Sequence, residues 1–158
     1  MSQERIDEYW RQFKKISPNA PDTYDAWPFG SSKQHADDLA QLVLEGKKTA
    51  TSSNYIMYQV ESDSIPYVGL YNIILDGNDA PVAILKTVEV NIMPFEEVSE
   101  EHAYLEGEGD RSLKYWRKVH QAFFERELNE INQTFNEQIL VVCERFELVY
   151  PIIGKNLD

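Results

Sequence analysis

The stretch Leu44-Glu45-Gly46-Lys47-Lys48-Thr49-Ala50-Thr51 closes the best-marked helix of the chain. Upstream of it, Ala36, Leu39, Ala40, Val43 and Leu44 recur at helical spacing. Ser31 and Gln34 stand three apart ahead of that stripe, as the two members of a capping box would. Gly46 falls where a glycine ends a helix by taking up a left-handed backbone. Read alone, the lysines that follow are solvated cations at a carbonyl-rich helix end. A P-loop is excluded, because the first glycine of Gly-x-x-x-x-Gly-Lys-Ser/Thr is missing.

Working outward, Ile6, Trp10, Phe13 and Ile16 predict an amphipathic helix over residues 3–16, broken by Ser17-Pro18-Asn19 and Pro21-Asp22. Trp27-Pro28-Phe29-Gly30 reads as an aromatic turn. Residues 67–76 and 80–91 are rich in Val, Ile, Leu and Tyr around Asp76-Gly77-Asn78-Asp79, which predicts a hairpin. Leu113, Trp116, His120 and Phe123 predict a third helix, with Asp110 in position to cap it. Residues 138–149 predict a late strand. Strands in the middle and at the end, flanked by helices, make an α+β domain; the pattern does not choose between an open sheet and a barrel.

The chain has 158 residues, 42% of them hydrophobic and 27% charged, which suits one globular domain without stapling by disulfides or metal. Its formal net charge of -12, with no dense basic cluster, disfavours a DNA duplex or a long RNA as partner. A nucleoside or short RNA in a local pocket remains compatible. The single cysteine, Cys143, allows no intrachain disulfide and fits a reducing compartment. No apolar run approaches the ~20 residues of a membrane span. With no signal-like start, the expected location is the cytoplasm. The oligomeric state is not legible.

Glu106-Gly107-Glu108-Gly109-Asp110 alternates three carboxylates with two glycines. Crowded like charges raise at least one carboxyl pKa unless a cation intervenes, and such a carboxyl can act as a general acid. The same density of oxygens could hold a divalent cation such as Mg²⁺ or Ca²⁺. An EF-hand is excluded: counted from Glu106, the sixth and twelfth positions are Arg111 and Arg117. The plain reading is an exposed acidic turn. His35, His102 and His120 lack zinc-ligand spacing, and His120 reads as a core residue of its helix. Cys143 reads as packing. Trp27 and Tyr55 are the aromatics near enough to Lys48 in sequence to stack on a base. Strand alternation puts Glu144 among apolar neighbours, where it must be paired, protonated or at a sheet end; Lys48 is a candidate partner.

Phe29-Gly30, a helix, and then Leu44 to Thr51 resemble the Gly-x-Lys-x-x-Thr/Ser signature of ASCH domains. Glu106 to Trp116, followed by His120 and Phe123-Phe124, resembles the longer bacterial branch of that superfamily, and Val142 to Phe146 resembles its last strand. The resemblance implies a PUA-like fold, a small β-barrel with flanking helices, over residues 27–150. Residues 1–26 would then be a helical extension and 151–158 a tail. It also implies a cleft for RNA or a nucleoside, with Trp27, Phe29, Gly46, Tyr55, Glu108, Asp110, Ser112 and Glu144 as candidate substrate contacts. One branch of the superfamily consists of N4-acetylcytidine amidohydrolases with a catalytic lysine, threonine and glutamate. These map onto Lys48, Thr51 and Glu106, the last through the shared spacing of Ser99-Glu-Glu-His-Ala-Tyr-Leu-Glu106.

The leading expectation is therefore an amide or acyl hydrolase acting on a modified nucleoside. Thr51 would be the nucleophile, Lys48 its base and Glu106 the proton donor. That assignment carries a conflict: ionised carboxylates beside Lys48 would hold it as a cation and not a base. The alternatives are a non-catalytic RNA- or nucleotide-binding module and a metal-dependent ribonuclease with the cation on Glu106, Glu108 and Asp110. No other cofactor is implied.

Overall fold

A computed structural model describes residues 2–152. In chain order the elements are α1 (Ser2–Ile16), β1 (Asp25–Pro28), α2 (Lys33–Leu44), β2 (Ala50–Asn54), α3 (Tyr55–Val60), β3 (Tyr71–Leu75), β4 (Pro81–Pro94), α4 (Glu100–Glu106), α5 (Leu113–Glu130) and β5 (Leu140–Tyr150). Among the described residues the strands form one mixed sheet in the order β1-β3-β4-β5-β2. It curls as a half-barrel of the PUA-like α+β type. The expected tail lies outside the described residues from 153 onward.

The hairpin read from residues 67–91 is the β3–β4 pair, and it forms the middle of the sheet. Its apolar run is nearly continuous because both faces are covered. Ile73, Leu75 and Ile84 pack with Ile6, Trp10 and Phe13 of α1. Ile74, Ala83 and Leu85 pack instead with Leu39, Ala40 and Val43 of α2. Successive side chains of each strand thus serve opposite layers, as period-2 geometry requires. The far ends of β4 and β5 support a third core, in which Phe95, Val141 and Cys143 meet Ala103, Trp116 and Phe124. The β4–β5 ladder is interrupted between Ile84 and Leu85 and between Thr87 and Glu89. Irregularities of this kind bend long strands, which suits a curled sheet.

Four local readings are corrected. Residues 25–28 are not a turn but an edge strand, parallel to β3, where Pro28 needs no ladder donor. The cap of α2 is Ser32, whose hydroxyl accepts from the His35 amide; Gln34 instead donates to Asp38. Ser112, not Asp110, caps α5, because its hydroxyl reaches the Tyr115 amide. The segments β2, α3 and α4 carry too little apolar periodicity to be read in advance. Gly46 does have its left-handed backbone, with φ 79°.

The helix α1 is integral to the core. Phe13 is 3% exposed and its ring meets those of Trp10, Tyr71 and Tyr150. Phe13→Ala is expected to lower the unfolding free energy by about 3–5 kcal/mol in a urea titration. A loss below about 1 kcal/mol would show that α1 docks loosely.

Candidate functional site

The functional centre begins where the chain leaves α2. After Gly46 the backbone runs against the end of α4, where the Thr49 amide donates to the Leu105 carbonyl at 2.8 Å. Gly107 ends α4 with φ 75°. A Cβ there would lie 2.4 Å from the Lys47 carbonyl oxygen, so this approach admits only glycine. The Arg111 guanidinium donates to the same carbonyl at 3.2 Å. Lys48 is thereby turned inward, 1% exposed, onto the carboxylates that follow α4.

The Lys48 Nζ donates to the Ala50 carbonyl at 2.9 Å, to Glu108 Oε2 at 3.0 Å and, at 3.4 Å, to the Glu106 carbonyl. Glu106 Oε1 lies 3.5 Å away and the Phe29 ring centroid 5.0 Å away. An ammonium has three protons, and here each has an acceptor. This arrangement holds Lys48 as a cation.

Glu106 is 2% exposed and stands at the centre of the cluster. Its Oε2 accepts from Ser52 Oγ at 2.5 Å and from Trp116 Nε1 at 2.6 Å, with His102 Nε2 at 3.2 Å. Its Oε1 faces Lys48 and, at 3.4 Å, His120 Nε2. Burial alone would raise this carboxyl. The charges of His120 and Lys48 and the hydrogen bonds from both histidines outweigh burial and hold it well below the usual carboxylate range. His120 shifts the opposite way. Burial would lower it, but Glu106 and the Trp116 carbonyl on Nδ1 keep its proton, and the group is raised. Its ring also stacks on Trp116, with centroids 4.3 Å apart. Lys48 and His120 thus balance Glu106 and Glu108.

Ser52 connects this cluster to open space. Its Oγ is 2.8 Å from His102 Nε2 as well as in contact with Glu106. A cleft of about 750 Å³ opens over it, lined by Lys48, Thr51, Ser52, Glu106 and His120 among others. The volume is in the range of small-molecule sites. A second polar group stands in the same cleft. Trp27 Nε1 donates to Asn72 Oδ1, Asn72 Nδ2 to Thr87 Oγ1, and Thr87 Oγ1 to Glu144 Oε2. Burial raises the Glu144 carboxyl, the Thr87 bond offsets part of this, and Asp25 adds to the rise.

Lys48, Thr51, Glu106, Trp27, Phe29, Glu108 and Glu144 therefore share one cleft, whereas Gly46, Tyr55, Asp110 and Ser112 are not among its lining residues. Four expectations change. Thr51 lines the cleft, yet its hydroxyl has no hydrogen bond to Lys48 or Glu106 among the described residues; the neighbouring Ser52 makes the contact. Glu106 is the ionised member and holds no proton to give. Glu144 pairs with Thr87 and not with Lys48. The acidic run does not converge: Asp110 turns back to the Ser112 amide, and an ammonium already stands between Glu106 and Glu108. A divalent ion does not fit there, and among the described residues no group of three or more His, Cys, Asp or Glu is arranged to hold one.

The sequence reading missed Ser52, His102 and the role of His120. Two signals were available. His102 and Glu106 are four apart on one helix, hence on one face. Ser52 shares its side of β2 with Ala50, which is wholly buried.

The ASCH domain family model matches residues 25–150. A protein of Enterococcus faecalis V583, known as a crystal structure, is 38% identical, with a TM-score of 0.86 over 93% of this chain and 89% of that one. An ASCH domain from Lactobacillus crispatus JV V101 is 30% identical, with a TM-score of 0.85 over 94% of this chain and 96% of that one. No curated protein matches. By sequence, by fold and by the continuity of both along its length, the chain belongs to the ASCH domain family.

Proposed function

We propose that the protein is a hydrolase that removes an acyl group from the exocyclic amide of a modified nucleoside such as N4-acetylcytidine. One observation carries the reading. At the floor of a nucleoside-sized cleft, the Ser52 hydroxyl touches a buried carboxylate that two cations flank. A serine hydroxyl is a weak nucleophile until a neighbouring group takes its proton. The wall residues Trp27 and Phe29 offer rings to a base, and the compact cleft suits a single nucleoside better than a long acidic polymer.

In the first half-reaction Ser52 Oγ bonds to the acyl carbon and its proton passes to Glu106 Oε2. Negative charge then grows on the former carbonyl oxygen, and the Lys48 ammonium is a fixed positive charge in the same cleft. The C–N bond breaks as the leaving nitrogen takes the proton of the His120 imidazolium. A carboxylate held this acidic is a weak base at rest. Loss of the His120 proton removes part of the charge that makes it so, which couples the two transfers. In the second half-reaction water adds to the acyl-serine ester, giving one proton to the now neutral His120. Glu106 returns its proton to Ser52 as the acid departs. Atoms and charges balance over the cycle, and Lys48 stays protonated throughout.

Two outcomes follow. Ser52→Ala should lower kcat for N4-acetylcytidine deacetylation by about 10²–10⁴-fold, whereas Thr51→Ala should lower it by less than about tenfold. The reverse order would return the nucleophile to Thr51, and unchanged turnover in both would end the hydrolase reading. The active form needs His120 protonated, and its pKa is raised, so kcat should hold through neutral pH and fall as pH rises above the ordinary histidine range. His120→Gln should remove that alkaline limb together with most of the rate; a limb that persists in the variant assigns it to another group.

A further inference from the structure

The cleft contains a third polar group, which the chemistry above does not use. Asn54 ends β2 and is 2% exposed. Among the described residues neither its Nδ2 nor its Oδ1 has a hydrogen-bond partner of ordinary geometry, and Asn54 makes no side-chain cap on α3 although it occupies that position. Glu127 of α5 stands beside it, and among the described residues its buried Oε1 has no partner of ordinary geometry either. Both residues line the cleft, as do Tyr58 and Phe123. Folded proteins satisfy nearly all buried polar atoms, so three such atoms on two residues of one cleft wall call for an explanation. Structural service does not supply one: the Asn54 amide and the Glu127 carboxyl lie side by side, and among the described residues these atoms are held by no hydrogen bond of ordinary geometry.

We infer that Asn54 and Glu127 form the recognition subsite of the cleft, which takes the polar edge of a nucleobase. This assignment rests on the nucleoside reading of the cleft. A carboxamide presents a donor beside an acceptor, and its complement is an edge with an acceptor beside a donor. Cytosine offers that pair at N3 and its exocyclic N–H, the nitrogen that bears the acyl group in the proposed substrate. Glu127 adds a third polar atom beside the amide. Burial pushes its carboxyl up to about 7, with the Asn54 amide tempering the rise, so it is also able to carry a proton as a donor near neutrality. Tyr58 and Phe123 supply rings beside these polar groups.

Ser52 and Asn54 are two residues apart on one strand and so share a face. The strand that carries the proposed nucleophile thus also carries the group that reads the base. Recognition two residues along from the reacting hydroxyl would fix the register of the acyl group over Ser52.

The test is calorimetric titration of the full chain with cytidine and with N4-acetylcytidine, alongside thermal melts. Asn54→Ala and Glu127→Ala should each weaken nucleoside binding by at least about tenfold, the scale of one lost hydrogen bond. Removing an orphaned polar group relieves the free protein, so Tm in Asn54→Ala should stay level or rise. Binding that survives both substitutions overturns the assignment and leaves the hydrolase reading standing. A fall in Tm with affinity unchanged also overturns it, because Asn54 would then be structural. No binding of either nucleoside by the unmodified protein overturns this assignment and the nucleoside reading together. Glu127, half-exposed on its helix, keeps the test decisive if Asn54→Ala fails to fold.

Discussion

A carboxylate buried to 2% exposure is the constraint around which this molecule is arranged. An isolated charge in that position costs several kcal/mol, so it persists only with cations and donors built around it. Here they come from five side chains at four places in the fold: Lys48 after α2, Ser52 on β2, His102 on α4, and Trp116 and His120 on α5. The site can exist only when α2, the β2 edge and both late helices are docked together. The half-barrel, the left-handed turn at Gly107 and the α5 cap at Ser112 all serve that convergence.

The same constraint redistributes the chemistry. With Lys48 held by three acceptors and Glu106 stabilised as an anion, neither residue is set up for the acid–base role that the sequence motif suggests for it. The Lys48 ammonium, the His120 imidazolium, the Glu106 and Glu108 carboxylates and the Ser52 hydroxyl are linked through Glu106 and Lys48 into a set that is neutral as a whole. Neutrality matters in a chain of net charge -12. An uncompensated anionic pocket in such a protein would repel phosphate and nucleobase carbonyls alike.

Much of the frame was legible in the sequence because it depends on periodicity. The stripe from Ala36 to Leu44, the 67–91 hairpin and the 138–149 strand follow from spacing and burial. The short elements were not legible. β2 reads Ala-Thr-Ser-Ser-Asn, with no apolar alternation, since its inward positions hold polar site residues. β1 was hidden by Pro28, which an edge strand tolerates. At the site, Lys48 and Glu106 were within reach of motif spacing, but the partner of each was not. Ser52 lies next to the motif threonine, and His120 looked like core because it lies on the apolar face of its helix. Contacts 50 or more residues apart are set by the fold and leave no local trace, as with Ser52–His102 and Ser52–Glu106.

The central claim is that a buried Glu106 anion is held by a protonated His120. It is tested most directly by an NMR pH titration of the His120 imidazole in the intact protein and in Glu106→Gln. The account predicts that His120 titrates above the ordinary value of about 6.5 in the intact protein and shifts clearly downward in the variant, where only the Trp116 carbonyl and Glu108 still oppose burial. A His120 that titrates at or below about 6.5 in the intact protein, or that is indifferent to Glu106→Gln, would contradict it.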